Sequence, residues 1–298
     1  GSSVDGGEGG DIFVFGGIAS GSDDTNDGGN IELFGGLASS GTGGSLFMST
    51  GYGAATSSGS FLLETSNAGA SGISGSITFR TGTASSGATG GISLTTGDAT
   101  EGPAGDISVD VGSGDVGKGG DVVLVAGSTI PVSGQTGGSV LVTSGESILT
   151  SSGNIELETN NAGTQGISGS ISFTTGTASG GNSGAVTIGT GYSFASGNGG
   201  AIIQLVGTGD SGDGGDVQVT AGETTSASQS GGQVVVQGGH GSSVDGKNGG
   251  DGGAISLIAG VASGTANADQ GGSILAQGGF AAAGTGGQID LLSGFGFA

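Results

Sequence analysis

Apolar and polar residues alternate along this chain in short runs, most of them entered through a glycine pair and left through another glycine. The unit is legible in "GGNIELFGGLASSGT" (Gly28 to Thr42), "GGDVVLVAG" (Gly119 to Gly127) and "GGSILAQGGFAAAGT" (Gly271 to Thr285). Taking the first apolar residue of each run as its marker gives 18 units: Ile12, Ile31, Leu46, Phe61, Ile77, Ile92, Ile107, Val122, Val140, Ile155, Ile171, Val186, Ile202, Val217, Val234, Ile255, Ile274 and Ile289. Period-two runs rich in Ile, Val, Leu, Phe and Thr predict strands, and they are too short for helices. Glycines at the run boundaries supply turn conformations closed to residues with a Cβ.

A second rhythm lies above the first. Ser57 to Gly97 and Ser151 to Gly191 are near-copies over 41 residues at an offset of 94, which is six units. The "GSSVDG" stretches at Gly1 and Gly241 are fifteen units apart, and "STGYGAA" at Ser49 recurs as "GTGYSFA" at Gly189, nine units on. All three displacements are multiples of three, so the duplicated element is a triplet. The predicted architecture is all-β: a β-solenoid, parallel β-helix-like, of 18 short strands in six three-strand repeats of about 49 residues. One domain, residues 1–298, is expected, with one triplet per coil favoured over one unit per coil. A six-bladed propeller is the alternative. Ile77, Phe79, Ile171 and Phe173 are the expected core of two related repeats.

The positions between core residues should face water. Glu156, Glu158, Thr78, Arg80, Ser172 and Thr174 fit that role, but Phe13, Phe15, Phe47, Val123, Val125 and Leu141 do not. Runs apolar on both faces are usually covered on both, by the links or by another chain.

Composition sharpens the picture mainly by exclusion. Glycine supplies 78 of the 298 residues, yet it does not fall at every third position and there are only two prolines, so collagen is excluded. So much Gly, with a net charge of −22, also suits a chain too polar to order itself. The alternating runs argue the other way. Three cations, Arg80, Lys118 and Lys247, cannot neutralise a phosphate backbone, so no nucleic-acid partner is expected. The same shortage argues against an anionic membrane surface, and no apolar run is long enough for membrane insertion. There is no cysteine, hence no disulfide and no thiolate metal site. The sequence starts at Gly1 without Met and reads as a processed product or a piece of a longer chain. The first and last three markers correspond at an offset of 243 and neither end resembles a cap, so a longer periodic structure is expected, its open end carrying Phe295 and Phe297.

Candidate chemistry is sparse. The single histidine, His240, could draw on Ser242 or Ser243 and Asp245, but a Gly-rich turn does not hold a triad rigidly. "GGEGGDIFV" (Gly6 to Val14) matches the calcium-binding β-roll nonapeptide, but once in full rather than in tandem; "SGDGGDVQV" at Ser211 only approximates it. The acidic turns "SDDTND" (Ser22 to Asp27) and "GDSGDGGD" (Gly209 to Asp216) are the places where calcium could bind, since it tolerates irregular oxygen-rich loops; solvated charge is the simpler reading. No "GK[ST]" follows the glycines, which excludes a phosphate loop. "TFRTGT" and "SFTTGT" resemble the Thr ranks of ice-binding proteins, but Glu32, Val123, Gln218 and Leu275 break those ranks. No catalytic, cofactor-binding or metal-ligating residue is assigned, and the chain is not expected to be an enzyme.

The "GGxIxLxxG" units resemble those of extracellular glycine-rich β-solenoid proteins of the adhesin and surface-fibre type, over essentially the whole chain. That resemblance implies a durable, passive, acidic shaft at the cell surface or outside the cell. The expected function is structural: an extracellular filament or cell-surface fibre formed by strand stacking and self-assembly. A binding module, for ice or for a glycan or other surface, is the alternative.

Overall fold

Among the described residues the backbone hydrogen bonds lie in the links between runs, not in the runs. The computed structural model describes residues 9–21, 26–130, 135–194, 197–247 and 249–294. Among them there is neither helix nor strand; the chain is largely coil. This overturns the expected β-solenoid of 18 strands, and with it the choice between coil sizes and the propeller. Thirteen backbone–backbone hydrogen bonds join the described residues, and every one lies in a link. A folded domain carries about one internal hydrogen bond per residue. The runs therefore have no ladder.

Glycine dictates this locally. In link after link the glycine before a run donates its N–H to the carbonyl of a glycine left behind at the previous run. Gly29 bonds Gly17 at 2.8 Å, Gly44 bonds Gly36 at 2.8 Å, and Gly138 bonds Gly127 at 2.9 Å. Farther along, Gly232 bonds Gly222 and Gly272 bonds Gly260, each at 2.9 Å. The approach is close enough that a side chain would obstruct it: a Cβ on Gly35 would run into the Gly44 carbonyl, and one on Gly278 into that of Gly287. At three links a threonine hydroxyl makes the closure. Thr65 Oγ1 donates to the Gly75 carbonyl at 3.2 Å, Thr159 to Gly169 at 3.2 Å, and Thr190 to Gly200 at 3.3 Å. Each closure brings two run ends together, and pairing stops there.

The physical reason lies in what the next bonds would need. Extending the pairing into two runs fixes several residues, at about 1–2 kcal/mol of backbone entropy each, with Gly losing the most. A two-stranded ribbon is marginal in water even with good strand formers. Without a covered face, nothing offsets that cost.

No covered face exists among the described residues: none is buried. The exposed area is 29,354 Å², whereas a compact chain of this mass would expose about 11,000 Å² and an unfolded one about 40,000 Å². The expected core residues Ile77, Phe79, Ile171 and Phe173 are 46, 70, 51 and 69% exposed. They form no core. The composition, with its glycine and its charge, outweighs the alternation of the runs.

The alternation nevertheless leaves a trace. Apart from Ile12, every marker is more shielded than the apolar residues standing between core positions. Ile31 and Leu46 are 52 and 59% exposed, against 90% for Phe47 and 84% for Leu141. The polarity pattern orients the runs without burying them.

The chain divides into two units, Gly1–Thr143 and Ser144–Ala298. Each carries nine of the markers, and each repeats the same glycine closures. Left-handed backbone occurs in the links, at Gly117 and Gly284 and at one residue with a side chain, Ser228 (φ 62°).

Candidate functional site

The surface that recurs most often is the run itself. Each run offers two to four apolar side chains in series, exposed, on a backbone that the described residues leave without hydrogen-bond partners. In the first run Phe13 and Phe15 lie on one side and stack, with ring centroids 6.1 Å apart and planes 11° from parallel. The sequence marked these two rings as misplaced for a water-facing position. It gave no sign that they would cover one another.

The runs fall into two chemical kinds. In one the intervening positions are apolar, as at Phe47, Val123, Leu141 and Val235. In the other they carry carboxylates: Glu32, Glu64, Asp110, Glu156, Glu158 and Asp290, all exposed. Asp110 accepts a hydrogen bond from Ser108 Oγ, and Asp290 accepts one from Gln288 Nε2 at 2.8 Å. These i, i+2 contacts are what an extended run allows, because alternate side chains share a side.

His240, Ser242, Ser243 and Asp245 all lie exposed in one link. His240 is exposed, beside the Gly239 carbonyl that closes its link through Gly253 N–H at 2.8 Å. Ser243 uses its carbonyl for Gly250 N–H at 3.1 Å and its hydroxyl oxygen for Asp245 N–H at 3.4 Å. Asp245 Oδ1 accepts from Lys247 N–H at 2.8 Å, an Asx-type turn. These groups shape the link. No cavity or cleft forms among the described residues.

Of the first acidic turn, Ser22 to Thr25 lie outside the described residues, as do Gly6 to Glu8 of the nonapeptide and the Phe295 and Phe297 expected at an open end. In the second turn Asp210, Asp213 and Asp216 are exposed. Among the described residues no three acidic or histidine side chains converge on a point where a metal ion could sit. Asp269 plays a different part: its Oδ2 accepts from Ala266 N–H at 2.8 Å and its own N–H donates to the Ala266 carbonyl at 3.0 Å, fixing a tight turn. Lys118 pairs with Asp121 at 2.8 Å across an exposed link, an arrangement that contributes little stability.

No family model, curated protein or solved structure matches this chain. The surface chemistry of the runs therefore carries the functional argument alone. What that surface can do is associate: it offers dispersion and hydrophobic contact at many equivalent places, with glycine on either side letting another backbone come close.

Proposed function

We propose that the chain is a structural protein of an extracellular filament or cell-surface fibre, and that its activity is association with further copies of itself through the exposed runs. The observation that supports this reading is the exposure of every run. Soluble monomers rarely leave apolar patches of more than a few hundred Å² uncovered, and larger ones mark interaction surfaces. Here the patch repeats at each marker from Ile12 to Ile289. A series of weak equivalent contacts on one chain multiplies into strong binding, because each contact made raises the effective concentration of the next. The acidic links keep the dispersed chain soluble. The expected strand-stacked shaft falls with the strands. Association between copies does not depend on it, since an uncovered run needs only a complementary run.

The placement outside the cell rests on the resemblance of the "GGxIxLxxG" units to surface-fibre proteins and on the scarcity of Lys and Arg, which leaves few sites for trypsin-like proteases. The test is negative-stain microscopy across a concentration series, alongside a thermal-hysteresis measurement. Regular fibres above a threshold concentration support the reading. A chain that stays monomeric throughout overturns it, and hysteresis in that monomer would transfer the function to ice binding.

A further inference from the structure

Glycine frees the backbone of the links, and the same freedom exposes one side chain to attack by its neighbour. An asparagine carboxamide followed by glycine lies open to the glycine nitrogen, because no Cβ on the next residue hinders the approach. Among the asparagines of the sequence, only Asn198 and Asn248 precede glycine. The others precede alanine, serine, aspartate or asparagine, or, at Asn30 and Asn154, the β-branched markers Ile31 and Ile155, which are the stiffest of these neighbours.

The structure separates the two Asn–Gly pairs. Asn198 and Gly199 are exposed in the link that leads to Ile202. The Gly199 N–H enters no backbone hydrogen bond among the described residues, and even a Cβ on Gly199 would meet nothing within 4 Å. Asn248 lies outside the described residues, but the glycine after it is crowded. A Cβ on Gly249 would lie 3.2 Å from the Ser243 carbonyl oxygen and 3.4 Å from that of Asp245. Gly250, next along, is tied back to Ser243 at 3.1 Å. An amide nitrogen must shed its proton before it attacks, and carbonyl oxygens close by disfavour the anion. Open space surrounds one nitrogen; acceptors crowd the other.

We infer that Asn198 is the chain's principal site of spontaneous deamidation, with water as the co-reactant. The Gly199 nitrogen, its proton lost to solvent base, attacks Cγ of the Asn198 carboxamide. A C–N bond forms, the side-chain nitrogen takes a proton from water and leaves as ammonia, and a five-membered succinimide ring remains. Water then opens the ring at either carbonyl, giving aspartate or an isoaspartate whose backbone runs through the former side chain. Both products add a negative charge. Isoaspartate also adds a carbon to the main chain inside the loop that Thr190 Oγ1 closes onto the Gly200 carbonyl at 3.3 Å. Asp–Gly pairs such as Asp213–Gly214 can close the same ring, but a carboxylate is the weaker electrophile and its reaction leaves the mass unchanged.

This assignment is independent of self-association and is tested on the dilute full-length chain. The chain is held at pH 7 and pH 8, in buffer and in urea, and sampled over time. Cleavage after Lys118 and Lys247 places Asn198 and Asn248 in different tryptic peptides. Tandem mass spectrometry then locates each gain of one mass unit. In buffer Asn198 should convert faster than Asn248 by about fivefold or more, a span that a poorly placed attacking atom accounts for. Urea should bring the two pairs to similar rates, and both rates should rise from pH 7 to pH 8. Gly199→Ala, which the open space accommodates, should slow Asn198 to the rate of the Asn–Ala pairs at Asn67 and Asn161 and leave Asn248 unchanged. Conversion led by Asn248 in buffer, a ratio between the pairs that urea does not alter, or undiminished conversion of Asn198 in Gly199→Ala overturns the assignment.

Discussion

The two near-copies, Ser57 to Gly97 and Ser151 to Gly191, lie in different units of the chain, yet their backbones repeat one another. Gly59 bonds Gly51 at 3.1 Å, and its counterpart Gly153 bonds Gly145 at 3.0 Å. The tight turns closed by Gly72 onto Gly69 and by Gly166 onto Gly163 measure 3.2 and 3.3 Å. The threonine closures from Thr65 and Thr159 are both 3.2 Å. The links keep these bonds through substitutions such as Ala70 to Thr164 and Ser71 to Gln165, and the runs differ in what they display. "FLLE" at Phe61 becomes "IELE" at Ile155, so an apolar Leu62 gives way to Glu156. Arg80 becomes Thr174, which sits 3.4 Å from Ser172. The lesson is that link geometry is set by about ten residues of local sequence, independently of the unit around it.

Exchanging that surface chemistry should produce the largest effect. Glu156→Leu makes the second copy resemble the first, removing a charge and adding an apolar side chain worth about 1.5–3 kcal/mol when fully covered. The concentration at which scattering begins should fall by about tenfold or more, as that free energy implies. The reverse change, Leu62→Glu, should raise it. Sedimentation velocity across a dilution series reads both. Movement in the same direction for the two substitutions would mean that the run surface is not the contact.

A smaller effect is expected at the hydroxyl closures. Thr65→Val and Thr159→Val keep the shape of the side chain and delete the donor, at a cost near the low end of the ~0.5–1.5 kcal/mol of an ordinary hydrogen bond. Chemical-shift changes should stay within residues 65–76 in the first case and 159–170 in the second, with matching patterns. Changes that spread into neighbouring runs would show that the links are coupled, contrary to the likeness of the two copies.

The smallest effect is expected where a packed domain would show the largest. Removing a buried Phe typically costs about 3–5 kcal/mol. Because Phe79 and Phe173 are exposed in both copies, Phe79→Ala and Phe173→Ala should leave calorimetric traces of the dispersed chain unchanged. A lowered melting temperature in either variant would reveal a core.

The repeat was legible in the sequence, and so were the link positions, because glycine pairs mark the places where only a residue without a Cβ fits, as at Gly35 and Gly278. Ile31, Leu46 and Ile77 were expected to face a core and instead are exposed, though less so than Phe47 or Leu141. Pairing between runs was not legible. Alternation states which side chains can share a face; a ladder further requires a partner backbone and a covered side, and neither is encoded in a four-residue run such as "IELE". The Thr65 and Thr159 closures were hidden for another reason: threonine in a β-like run reads as a strand former, whereas here its hydroxyl stands in for a backbone group. Glu156 and Glu158 were legible as solvent-facing residues, and both are exposed.

The central claim is that the dispersed chain is hydrogen-bonded in its links and open in its runs. Amide hydrogen exchange, followed residue by residue by NMR at neutral pH and low concentration, tests it most directly. The account predicts slowed exchange at hydrogen-bonded link amides such as Gly29, Gly44, Gly138, Gly232 and Gly272, by severalfold, as suits isolated exposed bonds. It predicts exchange at the intrinsic rate in the runs, at Ile31, Ile77, Val122, Ile171 and Val234 alike. Strong protection of those run amides, lost together in one cooperative transition, would contradict it.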